Sequence, residues 1–364
     1  MLAELGGRLF RDAFAADNTP EDMRAYLTEH FTEPAVRRLL EHPDFNALVL
    51  EDAGTPVGWA LLVSGRSAAR AAEPARLAPA PGGEVEIRRF YVDPRLHGGD
   101  AGPTLLASSL ARARELGAGA VWLAVWEHNR RALAFYGKHG FRRVGAKSFR
   151  LGADTQTDDV LLRPTSFGVS LAFVAGGGAT RLGGVCKPLL RVRGRPVLER
   201  LLALRTLADE VLLVSADPRL PDAGMRRLGD LVAGRGAPGG VHAALAQARS
   251  AWVLAVAADM PFLDGRAVLP LLDARGDDVD AVAYTVAGRL EPLAALYRTS
   301  LAPRFAEALA TGGESFRALW GRLRGRTLPE SVLREATGDV RAVVSLNLPS
   351  DVATWVDTPP DPRS

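Results

Sequence analysis

Apolar and polar residues alternate along this chain with two different rhythms. Up to about residue 163 the pattern predicts helical segments, then strands, then two well-marked helices and a final strand. From about residue 168 it changes to strand "GVSLAFV", helix "PVLERLLALRTL", strand "EVLLVS", helix "VHAALAQA" and strand "AWVLAVAA". That alternation is expected of a parallel sheet covered by helices. The change falls near "RPTSFG", where Pro164, Ser166 and Gly168 interrupt both periodicities and suit a brief linker. The predicted organisation is two α/β domains, residues 1–163 and 168–357, in keeping with a length of 364 residues, long for a single core. The stretch "SGRSAARAAEPARLAPAPGGE" (64–84) has few large apolar residues and predicts a mobile surface loop, and the tail "DTPPDPRS" a disordered end.

Composition narrows the class. Hydrophobic residues make up 47% and charged residues 24%, and no uncharged apolar run approaches a membrane span. The start "MLAELGGRLFRDAFAADN" lacks the apolar centre of a secretory signal, so a cytoplasmic protein is expected. Cys186 is the only cysteine, which excludes an intrachain disulfide and a multi-cysteine metal cluster. A net charge of +3, with basic residues scattered among acids, gives no support to nucleic-acid or membrane partners. Among 45 basic residues only Lys138, Lys147 and Lys187 are lysines, so shape is expected to matter where an ammonium persists.

The stretch "AFVAGGGATRLGGVCKPLL" (172–190) carries the most chemistry. Val174 ends a predicted strand, Ala175 and glycines 176, 177 and 178 form a turn, and Arg181 and Lys187 add two cations. Glycines let a phosphate chain approach peptide N–H groups closely, and the cations suit a triphosphate. It is not a Walker loop, since no G-K-[ST] follows. Asp259 ends the apolar strand "WVLAVAAD" at the edge where doubly wound sheets bind ligands. Its carboxylate reads either as a magnesium ligand or as a helix N-cap with Pro261 in the first turn.

The run "VAGGGATRLGGVCKPLLRVRGRPVL" resembles the A-G-G-x-x-x-R-x-G-x-x-K-x-L-L-x-x-x-G-x-P-L signature of molybdenum cofactor guanylyltransferases. These are nucleotidyltransferases with a doubly wound, Rossmann-like sheet. The resemblance implies that Val174, Ala175, Gly176, Gly177 and Lys187 hold GTP, and that Ser215, Asp230 and Gly236 lie beside the guanine. It implies further that Asp259, with Asn347 of "LNLPSD", holds Mg2+, while Arg181 and the loop amides hold the leaving phosphates. The implied reaction transfers GMP to molybdopterin with release of pyrophosphate, in a protein whose partners are molybdoenzymes or their chaperones. Ser345 and the order "GAPGG" depart from the family pattern. CTP users resemble A-A-G at the loop, and a cytidylyltransferase or other nucleotidyltransferase stays open as an alternative.

In the first half, "VWEHNRRALAFYGKHGFRRVG" reads as strand, turn, helix and strand, with Asn129 as cap and Gly140 as terminator. The pattern N-x-x-A-x-x-F-Y-x-x-x-G-F resembles the coenzyme A-binding end of GNAT acetyltransferases, of the polyamine N-acetyltransferase type. That likeness implies a GNAT-like mixed α/β domain using acetyl-CoA to acetylate a small amine. In it Tyr136 protonates the departing thiolate, Glu86 is the candidate base, Asn129 contacts the cofactor, and Gly102 of "HGGDAG" belongs to the diphosphate loop. Asp100 stands where the family has a glycine, and the family's first strand is missing from the pattern, so a non-catalytic binding module stays open.

Overall fold

The structure is a computed structural model that describes residues 1–65, 82–151, 154–175, 185–229, 231–232, 234–310, 315–347 and 349–357. Most of the loop expected over 64–84, and all of the tail beyond Asp357, lie outside the described residues. The chain divides into two compact units, Met1–Ser166 and Phe167–Ser364.

The first unit opens with helices α1 (Leu2–Phe14), α2 (Pro20–His30) and α3 (Glu33–Glu41). Strands β1 (Phe45–Asp52), β2 (Thr55–Val63) and β3 (Glu84–Val92) follow, then α4 (Ala101–Glu115), β4 (Ala120–Trp126), α5 (Arg130–Lys138), β5 (Arg142–Leu151) and β6 (Asp154–Pro164). The six strands lie in the order β1-β2-β3-β4-β6-β5. Where one final strand is expected from the pattern, the chain makes a β5–β6 hairpin. Strand alternation divides the core between the two faces. Trp59 and Leu61 meet Leu5, Leu9 and Phe10 of α1 and Met23 of α2, whereas Ala60, Leu62, Val121 and Leu123 meet Leu106 and Leu110 of α4 and Tyr136 of α5.

One irregularity shapes this sheet. Leu61 pairs with Arg89 but Leu62 pairs with Ile87, so Arg88 is an extra residue, a bulge that bends β3. The parallel pairing of β3 with β4 covers only Glu84–Glu86 against Ala120–Trp122. Past that point the two strands part, although β4 stays paired with β6 as far as Trp126↔Asp158. A gap therefore opens between Ile87–Val92 and the end of β4.

The second unit begins with β7 (Val169–Val174), the short β8 (Arg191–Val192) and β9 (Arg195–Pro196), α6 (Val197–Leu201), β10 (Glu210–Val214), β11 (Arg226–Leu228), α7 (Gly236–Gln247) and β12 (Trp252–Ala257). It continues with α8 (Gly265–Asp273), β13 (Ala281–Val286), β14 (Arg289–Arg298), α9 (Ala302–Ala310), α10 (Phe316–Trp320), β15 (Gly325–Pro329), α11 (Glu330–Thr337) and α12 (Pro349–Trp355). The seven-stranded order is β11-β10-β7-β12-β14-β13-β15. β7, β10, β11 and β12 run parallel, as the alternation predicts, but β14 is antiparallel to both of its neighbours. A tight turn explains this: Ala287 and Gly288, with φ of 48° and 72°, close a β13–β14 hairpin.

Both faces of β7 are covered, which is why it reads as an unbroken apolar run. Leu171 and Phe173 pack toward α6 and α8, Ala172 and Val174 toward α7 and α9. Its one polar residue, the buried Ser170, donates to Glu210 at 2.7 Å and accepts from the Ser250 N–H. Four Asp-x-Arg triplets, Asp93–Arg95, Asp217–Arg219, Asp264–Arg266 and Asp339–Arg341, each close a turn in one way. The aspartate accepts from the arginine's own backbone N–H and from its guanidinium.

Gly240 sets how closely α7 approaches the sheet. A Cβ there would lie 2.7 Å from Cγ1 of Val174, a β-branched side chain locked in the sheet. Gly240→Ala is expected to cost about 1–3 kcal/mol through overpacking and to lower the melting temperature by several degrees. An unchanged thermal midpoint would contradict this reading of the helix–sheet contact.

Candidate functional site

In the second unit, three parallel strands finish together. Val174 pairs with Val214 on one side and Ala257 on the other. The chain leaves β7 toward β10 and later returns to its other flank as β12, so the crevice between β7 and β12 is a topological switch point. The backbone at these ends is stitched across: the Ala175 N–H donates to Val214 O and the Ala258 N–H to Val174 O.

Asp259 follows at the rim. Its side chain is 16% exposed, and Oδ2 accepts from Lys187 Nζ at 3.1 Å. The same ammonium donates to Asn347 Oδ1 at 2.8 Å. Residues 72 and 160 positions apart in sequence thus meet at one cation. Each is fixed from below. Lys187 opens a 3-10 turn whose Pro188 is buried, with Leu190 in the core behind it. The Leu346 N–H donates to Asp259 O, the Leu346 side chain is fully buried, and the Asn347 N–H donates to Asp351. The helix-cap reading of Asp259 is settled by Asp264, which caps α8 by accepting from the Arg266 N–H.

The donor set at this point consists of a carboxylate oxygen and an amide oxygen converging on a positive charge. Hard oxygen ligands of that kind suit Mg2+, which commonly takes one or two carboxylates and completes its shell with water and substrate phosphates. Among the described residues no group of three or more His, Cys, Asp or Glu could form a closed protein cage. The arrangement therefore fits an ion shared with a ligand.

Several other expected residues lie outside the described residues. Gly176, Gly177, Gly178, Arg181 and Asp230 are outside them. Gly236 begins α7 with φ of +57°, a conformation that favours glycine. Gly240, which the sequence reading did not single out, brings α7 against Val174 and Val214; the adjacent glycine pair opening a helix is the signal for it. Ser215 is buried, and its hydroxyl accepts from the Asp217 N–H, so that side chain is engaged in its own turn. Cys186 lies beside Asp217, and burial together with that carboxylate raises its thiol pKa.

In the first unit, the N-terminal ends of α4 and α5 lie side by side. A Cβ on Gly102 would sit 3.2 Å from the Phe135 ring, and His97 Nδ1 is 2.8 Å from Arg131 Nη1. His97 Nε2 reaches Val92 O at 2.9 Å, tying the turn after β3 to the start of α5. Two helix N-termini and Arg131 make this corner attractive to an anion. The Asp100 carboxylate accepts from the Thr104 hydroxyl at 3.0 Å within the first turn of α4. Asn129 caps α5 by accepting from the Ala132 N–H.

Tyr136 is buried among Phe90, Phe135 and Phe141, and burial raises its hydroxyl's pKa. Glu86 is buried at 6% exposure and clamped by Arg88, whose Nη2 and Nε lie 2.5 and 3.0 Å from Oε2. Its place on β3 is in the paired part of the sheet, opposite Trp122 and before the gap. Both facts count against Glu86 as a free base. A different carboxylate, Asp158 on β6, stands at the mouth of the gap opposite Trp126.

Comparison with known proteins follows the same division. The profile of the MobA-like NTP transferase domain matches residues 172–348, and that of the acetyltransferase (GNAT) family matches residues 9–141. An uncharacterized N-acetyltransferase of Mycobacterium tuberculosis is 31% identical over 162 residues, 44% of this chain and 94% of the relative. A molybdenum cofactor guanylyltransferase of Serratia proteamaculans is 30% identical over 187 residues, 50% of this chain and 91% of the relative. Among solved structures, molybdopterin-guanine dinucleotide biosynthesis protein A of Archaeoglobus fulgidus is 23% identical, covering 51% of this chain and 95% of its own, with a TM-score of 0.44.

The environment of Cys186 predicts a sluggish thiol. At pH 8 it should react with a disulfide reagent more slowly than free cysteine, and at the free rate once the protein is denatured. A native rate equal to or above that of free cysteine would refute the assignment.

Proposed function

Since the chain belongs to the acetyltransferase (GNAT) family in its first unit and to the MobA-like NTP transferase family in its second, two families of enzymes, we propose that it is bifunctional. The second unit transfers GMP from GTP to molybdopterin with release of pyrophosphate. The first transfers the acetyl group of acetyl-CoA to a small primary amine.

The observation that carries the first half of this reading is the meeting of Lys187, Asp259 and Asn347 at the switch-point crevice. A terminal phosphate of the acceptor attacks the α-phosphate of GTP, the bond to the β-phosphate oxygen breaks, and pyrophosphate leaves. Such a transfer asks the protein for positioning and charge neutralisation. Lys187 exchanges its carboxylate partner for the α-phosphate as nucleotide enters. Asp259 and Asn347 would hold Mg2+, which when bound would neutralise triphosphate charge. The backbone around Val174 and Ala175 lines the crevice floor, and Gly236 lets α7 begin close to it. Arg181, with the loop amides, stabilises the leaving phosphates, and Asp230 reads the base.

Support for the second half comes from the anion-attracting corner at α4 and α5 and from the gap between β3 and β4, where the ladder between the described strands stops and the pantetheine amides can lie. Gly102 and Arg131 face the coenzyme diphosphate, with Asn129 at the start of α5. Tyr136 reaches the gap from the α5 side, and its raised pKa keeps its hydroxyl protonated, the state needed to protonate a leaving thiolate.

Two measurements test these assignments. With molybdopterin present, pyrophosphate release is expected with GTP and not with CTP. Lys187→Ala and Asp259→Ala should each lower it by about 10²–10³-fold with the fold intact by circular dichroism. Release with CTP alone, or near-normal turnover in either variant, would contradict the assignment. For the other activity, Tyr136→Phe should slow acetyl transfer by at least about 10²-fold without weakening acetyl-CoA binding by calorimetry, and an unchanged rate would remove Tyr136 from the mechanism.

A further inference from the structure

Two carboxylates, Glu86 on β3 and Asp158 on β6, are buried in the first unit's sheet, and they differ in one respect. Glu86 has Arg88 against it. Asp158 is 8% exposed, and among the described residues no hydrogen bond or ion pair reaches its carboxylate. An ionised group buried in that way needs a counter-charge or a proton.

The neighbourhood of Asp158 is defined by register. It stands opposite Trp126 on β4 and Lys147 on β5, and so shares a face with both. Gln156, two residues earlier and on the same face, donates to Asn18 between α1 and α2, while Phe149 packs edge-on to Tyr26 of α2 at 5.9 Å. Asp158 therefore looks toward α2. On α2 an open depression of about 320 Å³ is lined by Ala25, Tyr26, Glu29, His30 and Arg150; Asp158 is not part of its lining, and Tyr26 is the residue that connects the two. The Lys147 ammonium is held elsewhere, 5.5 Å above the Trp122 ring.

The titratable groups form a series across the gap. Tyr136, on the α5 side of the sheet, interacts electrostatically with Tyr91; Tyr91 does so with Tyr26, and Tyr26 with Asp158. Arg89 on β3, stacked on Phe31 at 4.4 Å, acts on both Tyr26 and Tyr91. Glu29 on α2 acts on Tyr26 and His30, and Asp159 and Lys147 act on Asp158 itself.

From this geometry we propose that Asp158 is the proton acceptor for the acetyl acceptor, a primary alkylamine that enters from the α2 side as its ammonium ion. The proposal rests on the acetyltransferase reading of the first unit. The ammonium adds a direct ion pair to the weaker pull of Lys147 across the ladder and gives one proton to the Asp158 carboxylate. The neutral nitrogen then forms the C–N bond to the acetyl carbon as the C–S bond breaks and the electron pair leaves on sulfur. The Tyr136 hydroxyl protonates the sulfur and is restored by the second nitrogen proton. Asp158 returns its proton to solvent, so amide, coenzyme A thiol and one proton balance amine cation and acetyl-CoA.

Burial pushes the pKa of Asp158 up to about 6, with Asp159 adding to the rise and Lys147 opposing it. Because only the ionised form accepts a proton, kcat/KM for the amine should fall as pH drops through that region. The same upward shift means that ionised Asp158 costs the fold stability above the ordinary carboxylate pKa, and a neutral isostere removes that cost. Asp158→Asn should therefore fold at least as well as the native chain.

The test follows thiol release from acetyl-CoA by the full-length chain between pH 5 and 9, with n-butylamine and 1,4-diaminobutane as probes. Asp158→Asn should lower kcat/KM for the amine by at least about 10²-fold and abolish the acid limb, while acetyl-CoA affinity and melting temperature hold. Asp158→Glu should restore part of the rate together with an acid limb. If the native chain transfers acetyl to the probes but Asp158→Asn keeps its rate and pH profile, this assignment alone is overturned. Loss of the acid limb on Glu86→Gln, with Asp158→Asn unaffected, overturns it in favour of the other carboxylate. No thiol release by the native chain with either probe overturns both this assignment and the acetyltransferase reading.

Discussion

Sheet pairing has to stop somewhere, and both candidate sites of this chain occupy a place where it does. A strand interior satisfies its backbone with its neighbours and leaves nothing for a ligand. In the second unit β7, β10 and β12 end level, and the peptide groups beyond Val174, Val214 and Ala257 turn to one another and to the rim. In the first unit the pairing of β3 and β4 fails after three residues because a bulged Arg88 bends one partner away. Rigid strands therefore deliver polar groups to each site from fixed directions, and the cost of desolvating those groups is met only when a ligand takes them up.

At the first of these places a lysine has, on the proposed reading, two functions in succession. The Lys187 ammonium joins Asp259 and Asn347, which otherwise present two oxygens to the same point. A cation stabilises that arrangement well, and on the proposed reading a compact ammonium gives way there to a metal ion while the lysine moves to a phosphate. Guanidinium, with its planar fork, would hold the carboxylate in a bidentate pair and release it less readily. That explains how a chain that uses arginine almost everywhere keeps one of its three lysines here.

Much of the second site was legible in the sequence because its parts are punctuated. The apolar run into Val174, the glycines after it, Lys187 thirteen residues on and Asp259 at the end of another apolar run are each local signals. Local pattern alone does not bring Asn347 to them; only the family resemblance implies it, since that contact spans 160 positions and depends on Leu346 being drawn into the core. The antiparallel β14 was missed for a comparable reason: the Ala287–Gly288 turn looks like any loop until φ is known. The Asp-x-Arg turns have a fixed spacing and a fixed chemistry, yet scattered charge reads as solvated surface and hides them.

Glu86 and Asp158 show where strand alternation misleads. Along β3, Glu86 alternates with apolar residues and reads either as a solvent-facing acid or as a base in the site, and it is neither exposed nor free. Along "TDDVLL" the pair Asp158–Asp159 reads as polar surface, because two adjacent acids must point to opposite faces and one of them is assumed to be wet. Here Asp159 takes Arg143 at 2.5 Å on the opposite face, while Asp158 is turned toward α2. Burial without a partner is a tertiary property: it depends on what α2 and the hairpin bring over the strand. Most of the first unit's elements could be derived from local pattern, the β5–β6 hairpin excepted, but the inward placement of Asp158 appears only when the two faces of β6 are told apart.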